Sequence, residues 1–278
     1  MPTVRANGID ICFESDGPDD APAVLLVNGF RSQLNHWEPL LIELLVDAGF
    51  RVVRFDNRDV GLTSKTAGEP PAYTLDDMAA DGMALLTELG IERAHIIGAS
   101  MGGMIVQHMA FGHPDRVLTL TSVMSTTGNP NVGQATPEAM QALMTPAPPE
   151  RDAYIENSVR TWKIISGSHY DEAHIRTKAA ASYDRMFYPK GAVFQMSAIQ
   201  SSGDRTERLA TITCPTLVIH GRMDPLITLS GGEATAAAIP GAELVVFDDM
   251  GHDLPPPIIP RVVEAFARNA ARASATSP

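Results

Sequence analysis

Gly98-Ala99-Ser100-Met101-Gly102 has the form G-x-S-x-G, a serine with glycines at fixed spacing on either side. It joins an apolar hexapeptide at 94–99 to an apolar stretch of helical spacing at 101–112, so the serine falls on a strand-to-helix turn. Such a turn lifts a hydroxyl above the sheet edge, and glycines beside it let strand and helix converge. A serine hydroxyl is a weak nucleophile until a base takes its proton. Eight histidines are candidates: His36, His95, His108, His113, His169, His174, His220 and His252. His252, in Asp249-Met250-Gly251-His252-Asp253 just past the last predicted strand, is the best placed. His220, at the end of an earlier strand, is its rival. The imidazole needs an acid to hold its tautomer. Asp224, in Gly221-Arg222-Met223-Asp224-Pro225, would meet it at the same sheet edge. Asp248, Asp249 and Asp253 are neighbours of His252 and poorly placed to turn back on its ring. Met124-Ser125-Thr126-Thr127-Gly128, where an acid could also sit, has none. A tetrahedral oxyanion needs preorganised donors. The backbone N–H of Met101 and that of Phe30, in Asn28-Gly29-Phe30, are the candidates. Together these groups could perform acyl transfer through a serine ester.

The elements that must position them follow from hydrophobic periodicity. Residues 3–15 alternate around Asn7-Gly8 and predict a hairpin. The continuous apolar runs at 23–28, 51–55, 94–99 and 117–124 predict strands buried on both faces. Helices are expected at 37–48, stopping at Gly49, and from a Thr74/Asp77 capping box to Gly90. A third is expected at 101–112. The rhythm resumes with strands at 214–220 and 243–247 and helices at about 228–239 and 259–271, before a fraying tail at 274–278. Alternating strands and helices with short connections mean a mostly parallel sheet covered by helices.

Residues 125–213 break this rhythm. They contain Pro146, Pro148 and Pro149, then helical spacing in Ile155, Val159 and Trp162 and in Ile175, Ala179, Tyr183 and Met186. Seven of the sixteen aromatic residues fall here, which predicts a helical cap over an apolar pocket, a reading compatible with a helical subdomain that has its own small core. The expected division is a core of 1–124 and 214–278 with 125–213 inserted as a cap. Phe30, Trp162, Tyr183 and Phe187 are the expected substrate-binding residues.

Composition removes other functions. With 33 acidic against 21 basic residues the net charge is −12, which argues against phosphate-tracking nucleic-acid binding and anionic membranes. Cys12 and Cys214 have no finger or redox spacing, so a disulfide scaffold is excluded and both are expected to pack as small apolar residues. There is no signal-peptide pattern and no apolar run of membrane length, which predicts a soluble, cytoplasmic chain. No H-E-x-x-H occurs, the paired histidines are spaced by five, and the glycines do not form G-x-G-x-x-G, so neither metal nor dinucleotide is expected.

Four stretches carry a family likeness: Arg54-Phe55-Asp56-Asn57-Arg58-Asp59-Val60-Gly61, Ile97-Gly98-Ala99-Ser100-Met101-Gly102-Gly103-Met104, His220-Gly221-Arg222-Met223-Asp224 and Met250-Gly251-His252-Asp253-Leu254-Pro255. With the order Ser100, Asp224, His252, the chain resembles α/β-hydrolase-fold serine hydrolases over nearly its whole length. It is similar in particular to actinobacterial lipase/esterase and aclacinomycin methylesterase-like proteins. The resemblance implies an eight-stranded, mostly parallel sheet and cofactor-free hydrolysis of a small-molecule ester by a monomer or homodimer. Thioester hydrolysis, perhydrolysis, C–C hydrolysis and acyl transfer are alternatives on the same groups; a receptor that kept the scaffold is a remote one. Two departures stand out. Asn28-Gly29 replaces the His-Gly that opens the oxyanion loop in many relatives, and Asp59 replaces the glycine of their Asp-x-Arg-Gly. Asp56, Arg58 and Asp59 are expected to form a structural charge cluster below the site.

Overall fold

A computed structural model describes residues 1–275. Thr3–Ala6 (β1) and Ile9–Asp16 (β2) form the expected hairpin, with Asn7 and Gly8 both at positive φ as its two-residue turn requires. Ala23–Val27 (β3) is buried throughout, as expected of a central strand. Pro39–Asp47 (α1) starts two residues later than its periodicity suggested. A short turn over Leu34–His36 precedes it, and Pro39 provides a first helical residue without N–H. Arg51–Phe55 (β4), Leu75–Glu88 (α2), Ala94–Ala99 (β5), Met101–Gly112 (α3) and Val117–Val123 (β6) follow. Thr74 and Asp77 cap α2 reciprocally, the Thr74 N–H donating to Asp77 Oδ2 at 2.7 Å.

Five helices stand between β6 and the next strand: Pro137–Met144 (α4), Arg151–Ile165 (α5), Glu172–Arg185 (α6), Gly191–Ser202 (α7) and Thr206–Leu209 (α8). Then come Thr216–Gly221 (β7), Leu229–Ala238 (α9), Glu243–Phe247 (β8) and Ile259–Ala275 (α10). β7 begins after Pro215, which lacks a donor, and not at Cys214. α10 runs four residues past the expected end at 271, through Arg and Ala residues that favour helix. The helix thus takes in Ser274 and Ala275 of the tail expected to fray, and residues 276–278 lie outside the described residues.

The sheet has the order β1-β2-β4-β3-β5-β6-β7-β8, antiparallel at β1–β2 and β2–β4 and parallel in every later pairing. Alternate residues feed two cores. Leu25, Val53, Phe55 and Ile96 pack under α2 and α3, whereas Val24, Leu26, Val52 and Ile97 pack under α1 and α10. Phe194, Ala198 and Leu209, from α7 and α8, belong to the first of these cores. Because β3, β5, β7 and β8 are parallel, the loops beyond their carboxyl ends open on one edge. Among the described residues no helix is long and apolar enough to cross a membrane.

The expected charge cluster is present below that edge. Asp56 is fully buried, lies 2.7 Å from Arg185 of α6, and accepts from the Leu34 and Leu62 N–H groups. Arg58 pairs with Asp81 at 2.6 Å. Asp59 has φ +67°, and its carboxylate accepts the Thr66 N–H at 2.6 Å. An aspartate tolerates this left-handed conformation better than most residues because its side chain bonds nearby backbone.

His95 is buried in β5, 2.8 Å from Thr119 Oγ1 and edge-on to Phe50 and Phe266. Burial, helped by Arg93, pushes its pKa down from 6.5 to about 4. Below pH 6.5 the unfolded chain therefore takes up a proton that the folded chain refuses. Stability rises with pH across that window and is lost as pH falls from 6.5 through 4, a contribution of about 3 kcal/mol. Urea midpoints at pH 7 and pH 4.5 should differ less in His95→Phe than in the wild type. An equal pH dependence would contradict a neutral buried His95.

Candidate active site

The site is built around a strained residue. Ser100 follows β5 with φ +58° and ψ −119°, outside the regions a side-chain-bearing residue ordinarily occupies. Its N–H donates to Val123 O at 2.9 Å, and its carbonyl accepts from Ser125 Oγ at 2.8 Å and from the Met104 N–H. The turn closes because two neighbours have no side chain. A Cβ on Gly98 would stand 2.1 Å from Gly102 O, and one on Gly102 would stand 2.0 Å from Val27 O. α3 is thereby pressed onto the end of β3.

His252 Nε2 lies 2.9 Å from Ser100 Oγ, and His252 Nδ1 lies 2.7 Å from Asp224 Oδ2. With Nδ1–H facing the carboxylate, Nε2 presents a lone pair to the serine hydroxyl. Asp224 and His252 are both buried. The other carboxylate oxygen of Asp224 accepts the Leu226 and Ile227 N–H groups at 2.8 and 2.9 Å. Those bonds fix the carboxylate plane and leave Oδ2 for the imidazole.

The rivals are committed elsewhere. His220 Nε2 donates to Ile227 O at 2.7 Å and stands 3.6 Å from Asp224 Oδ2; burial pushes its pKa down. It flanks the acid and not the serine. Asp248 pairs with Arg222, and Asp249 with Arg261 and His169. Asp253 accepts the Gly167 and Gly251 N–H groups, and burial raises its pKa. His36, His95, His108 and His174 also bond other partners.

Phe30 lines the same cavity as Ser100, and Met101 directly follows Ser100. Met101 is the first residue of α3, so its N–H has no carbonyl one turn back. The Phe30 N–H has no protein acceptor among the described residues. The loop that carries Phe30 is tied on two sides. Asn28 donates to Gln33 O at 2.9 Å and accepts from Asn57 Nδ2 at 2.9 Å; Gln33 Nε2 donates to the carbonyls of Ser182 and Met186. Asn28 thus braces the loop through its amide. The His252 loop is held from the inserted helices, its N–H donating to Ile165 O at 2.7 Å.

These groups open into a cavity of about 580 Å³. Phe30 and Trp162 line it, as expected. Tyr183 and Phe187 do not, which corrects that expectation. They pack on each other and on Tyr154, and Tyr183 Oη donates to Pro149 O at 2.5 Å. The α6 face on the cavity ends with Lys178 and Ala179, one turn before Tyr183. Sequence reasoning missed Tyr154 and Tyr170 as lining residues. Tyr154 shares one α5 face with Ser158 and Trp162 at four-residue spacing, a readable signal.

The sequence profile of the α/β hydrolase fold matches residues 22–255. The chain belongs to the α/β hydrolase fold family. Within it, rhodomycin D methylesterase DnrP of Streptomyces peucetius is 30% identical over 282 aligned positions, covering 92% of this chain and 93% of that one. An enol-lactonase structure from Burkholderia xenovorans LB400 superposes with TM-score 0.75 and 25% identity, covering 99% of this chain and all of that one. A malate-bound thermophilic esterase from Thermogutta terrifontis gives 0.76 and 25%, covering 98% and 99%. As an α/β hydrolase, this chain should depend on the close approach at the elbow. Gly102→Ala is predicted to cost about 1–3 kcal/mol or more, because backbone on both sides blocks a methyl group. Urea unfolding measures it, and an unchanged midpoint would contradict the packing described.

Proposed function

We propose that this α/β hydrolase is a serine ester hydrolase working through an acyl-enzyme on Ser100. The observation that carries the reading is the bonded series Ser100 Oγ, His252 Nε2, His252 Nδ1, Asp224 Oδ2 at 2.9 and 2.7 Å. Ser100 Oγ attacks the acyl carbon while its proton passes to His252 Nε2. Asp224 holds the ring and stabilises the imidazolium. The negative oxygen of the tetrahedral intermediate receives the Phe30 and Met101 N–H groups. Collapse expels the alcohol, which takes the proton from His252. Water, deprotonated by His252, then attacks the acyl carbon and releases the acid and Ser100.

In this reading segment 125–213 is the cap of the core formed by 1–124 and 214–278, and it gives the cavity its far wall. A volume near 580 Å³, walled by apolar and aromatic side chains with a few charged ones among them, suits a small or medium ester. The methyl ester named for DnrP supports a small leaving alcohol. Cys12 and Cys214 are both free, which suits the reducing cytoplasm.

The direct test is hydrolysis of p-nitrophenyl butyrate by the wild type and Ser100→Ala. kcat should fall by roughly 10³-fold or more in the variant. Wild-type turnover by Ser100→Ala would overturn the assignment.

A further inference from the structure

Among the described residues, one cation lining the cavity beside Ser100 has no carboxylate partner. Glu38 pairs with Lys178 at 2.6 Å and His174 at 2.9 Å. Asp253 accepts two backbone N–H groups, and Asp171 caps α6 through the His174 N–H. Arg31 differs. Among the described residues it has no carboxylate partner, and its guanidinium makes one hydrogen bond, from Nη1 to Leu143 O at 3.5 Å. That distance is at the outer limit for such a bond. A guanidinium carries five N–H donors and stays charged at neutral pH, so most of its donors have no protein partner among the described residues.

Its placement is built in. Arg31 has φ +63°, a left-handed backbone conformation that an arginine adopts only when its surroundings impose it. Its N–H donates at 2.9 Å to Oε1 of the fully buried Gln195, whose own amide donates to Arg58 O at 3.1 Å. Arg31 directly follows Phe30, the proposed oxyanion donor, and its guanidinium carbon is 5.9 Å from the Phe30 ring centroid. Burial in the cavity wall pushes the guanidinium pKa below its ordinary value, the effect of a desolvated charge lacking a counter-ion.

We propose that Arg31 is a specificity-determining residue that selects esters bearing a second, carboxylate group within reach of the reacting carbonyl. The proposal rests on the ester-hydrolase reading and names its substrate class. A carboxylate matches the planar fork of a guanidinium in two parallel hydrogen bonds. The chain's net charge of −12 offers an anion no general attraction, so the preference is local to this residue.

The test uses two esters of nearly equal shape, monomethyl glutarate and methyl pentanoate, with acid release followed by titration at constant pH. The wild type should favour the charged ester in kcat/KM by roughly tenfold or more. In Arg31→Gln that ratio should collapse to about one, and Arg31→Lys should restore part of it. A residue that merely ties its loop to Leu143 would lower both rates and leave the ratio unmoved, which would overturn the proposal. Equal wild-type rates on the two esters would overturn it too, with the ester-hydrolase reading intact. Failure of the wild type on both would sink the two readings together.

Discussion

The whole arrangement depends on backbone touching backbone where β5 turns into α3. Ser100 can hold φ +58° only because α3 lies against the ends of β5 and β3, and it lies there because Gly98 and Gly102 carry no Cβ. Gly29 extends the same contact, since a Cβ there would stand 3.1 Å from Ala99 O. The loop with Phe30, the elbow with Ser100 and the first turn of α3 with Met101 therefore converge without intervening side chains. The strain at Ser100 is offset by the Val123 and Ser125 hydrogen bonds and by the apolar burial of α3 on both sides of the motif.

The parallel sheet supplies the remaining geometry. β7 and β8 are neighbours, and their carboxyl ends deliver Asp224 and His252 from adjacent loops. A second close contact locks the histidine loop: a Cβ on Gly251 would fall 2.3 Å from Gly167 N. Segment 125–213 thus acts on the core at several points, among them Gly167 on the His252 loop, Gln195 on Arg31, and Arg185 on Asp56. The groups of the site are held by both parts of the chain. Core and inserted helices consequently share one set of positional constraints.

The hydrogen-bonded series Ser100, His252 and Asp224 was legible in the sequence because each member sits next to a strand end, and strand ends follow from apolar runs and glycines. β4, β5, α3 and β8 were readable to the residue for the same reason. Asp224 could be preferred over Asp253 because a neighbour in sequence rarely points back, and Asp253 indeed turns toward backbone amides. The pocket was less legible. Tyr183 and Phe187 have the residue types of a lining, but where an amphipathic helix stops facing a cavity depends on how α5 and α6 cross, which periodicity does not encode. Arg31 carries no motif at all. Its importance emerges only from the contacts of the other charges around the cavity, and the pairs that Glu38 makes there join residues more than a hundred positions apart.

The central proposal is that this elbow makes Ser100 an activated nucleophile. Reaction with a fluorophosphonate ester, followed by digestion and peptide mass spectrometry, tests it most directly, because phosphorus is trapped by the same activated oxygen that attacks an acyl carbon. The account predicts one stable phosphonyl group, carried by the peptide containing Ser100 and formed in step with loss of activity. Inactivation with the Ser100 peptide unmodified, or with the label on another residue, would contradict it.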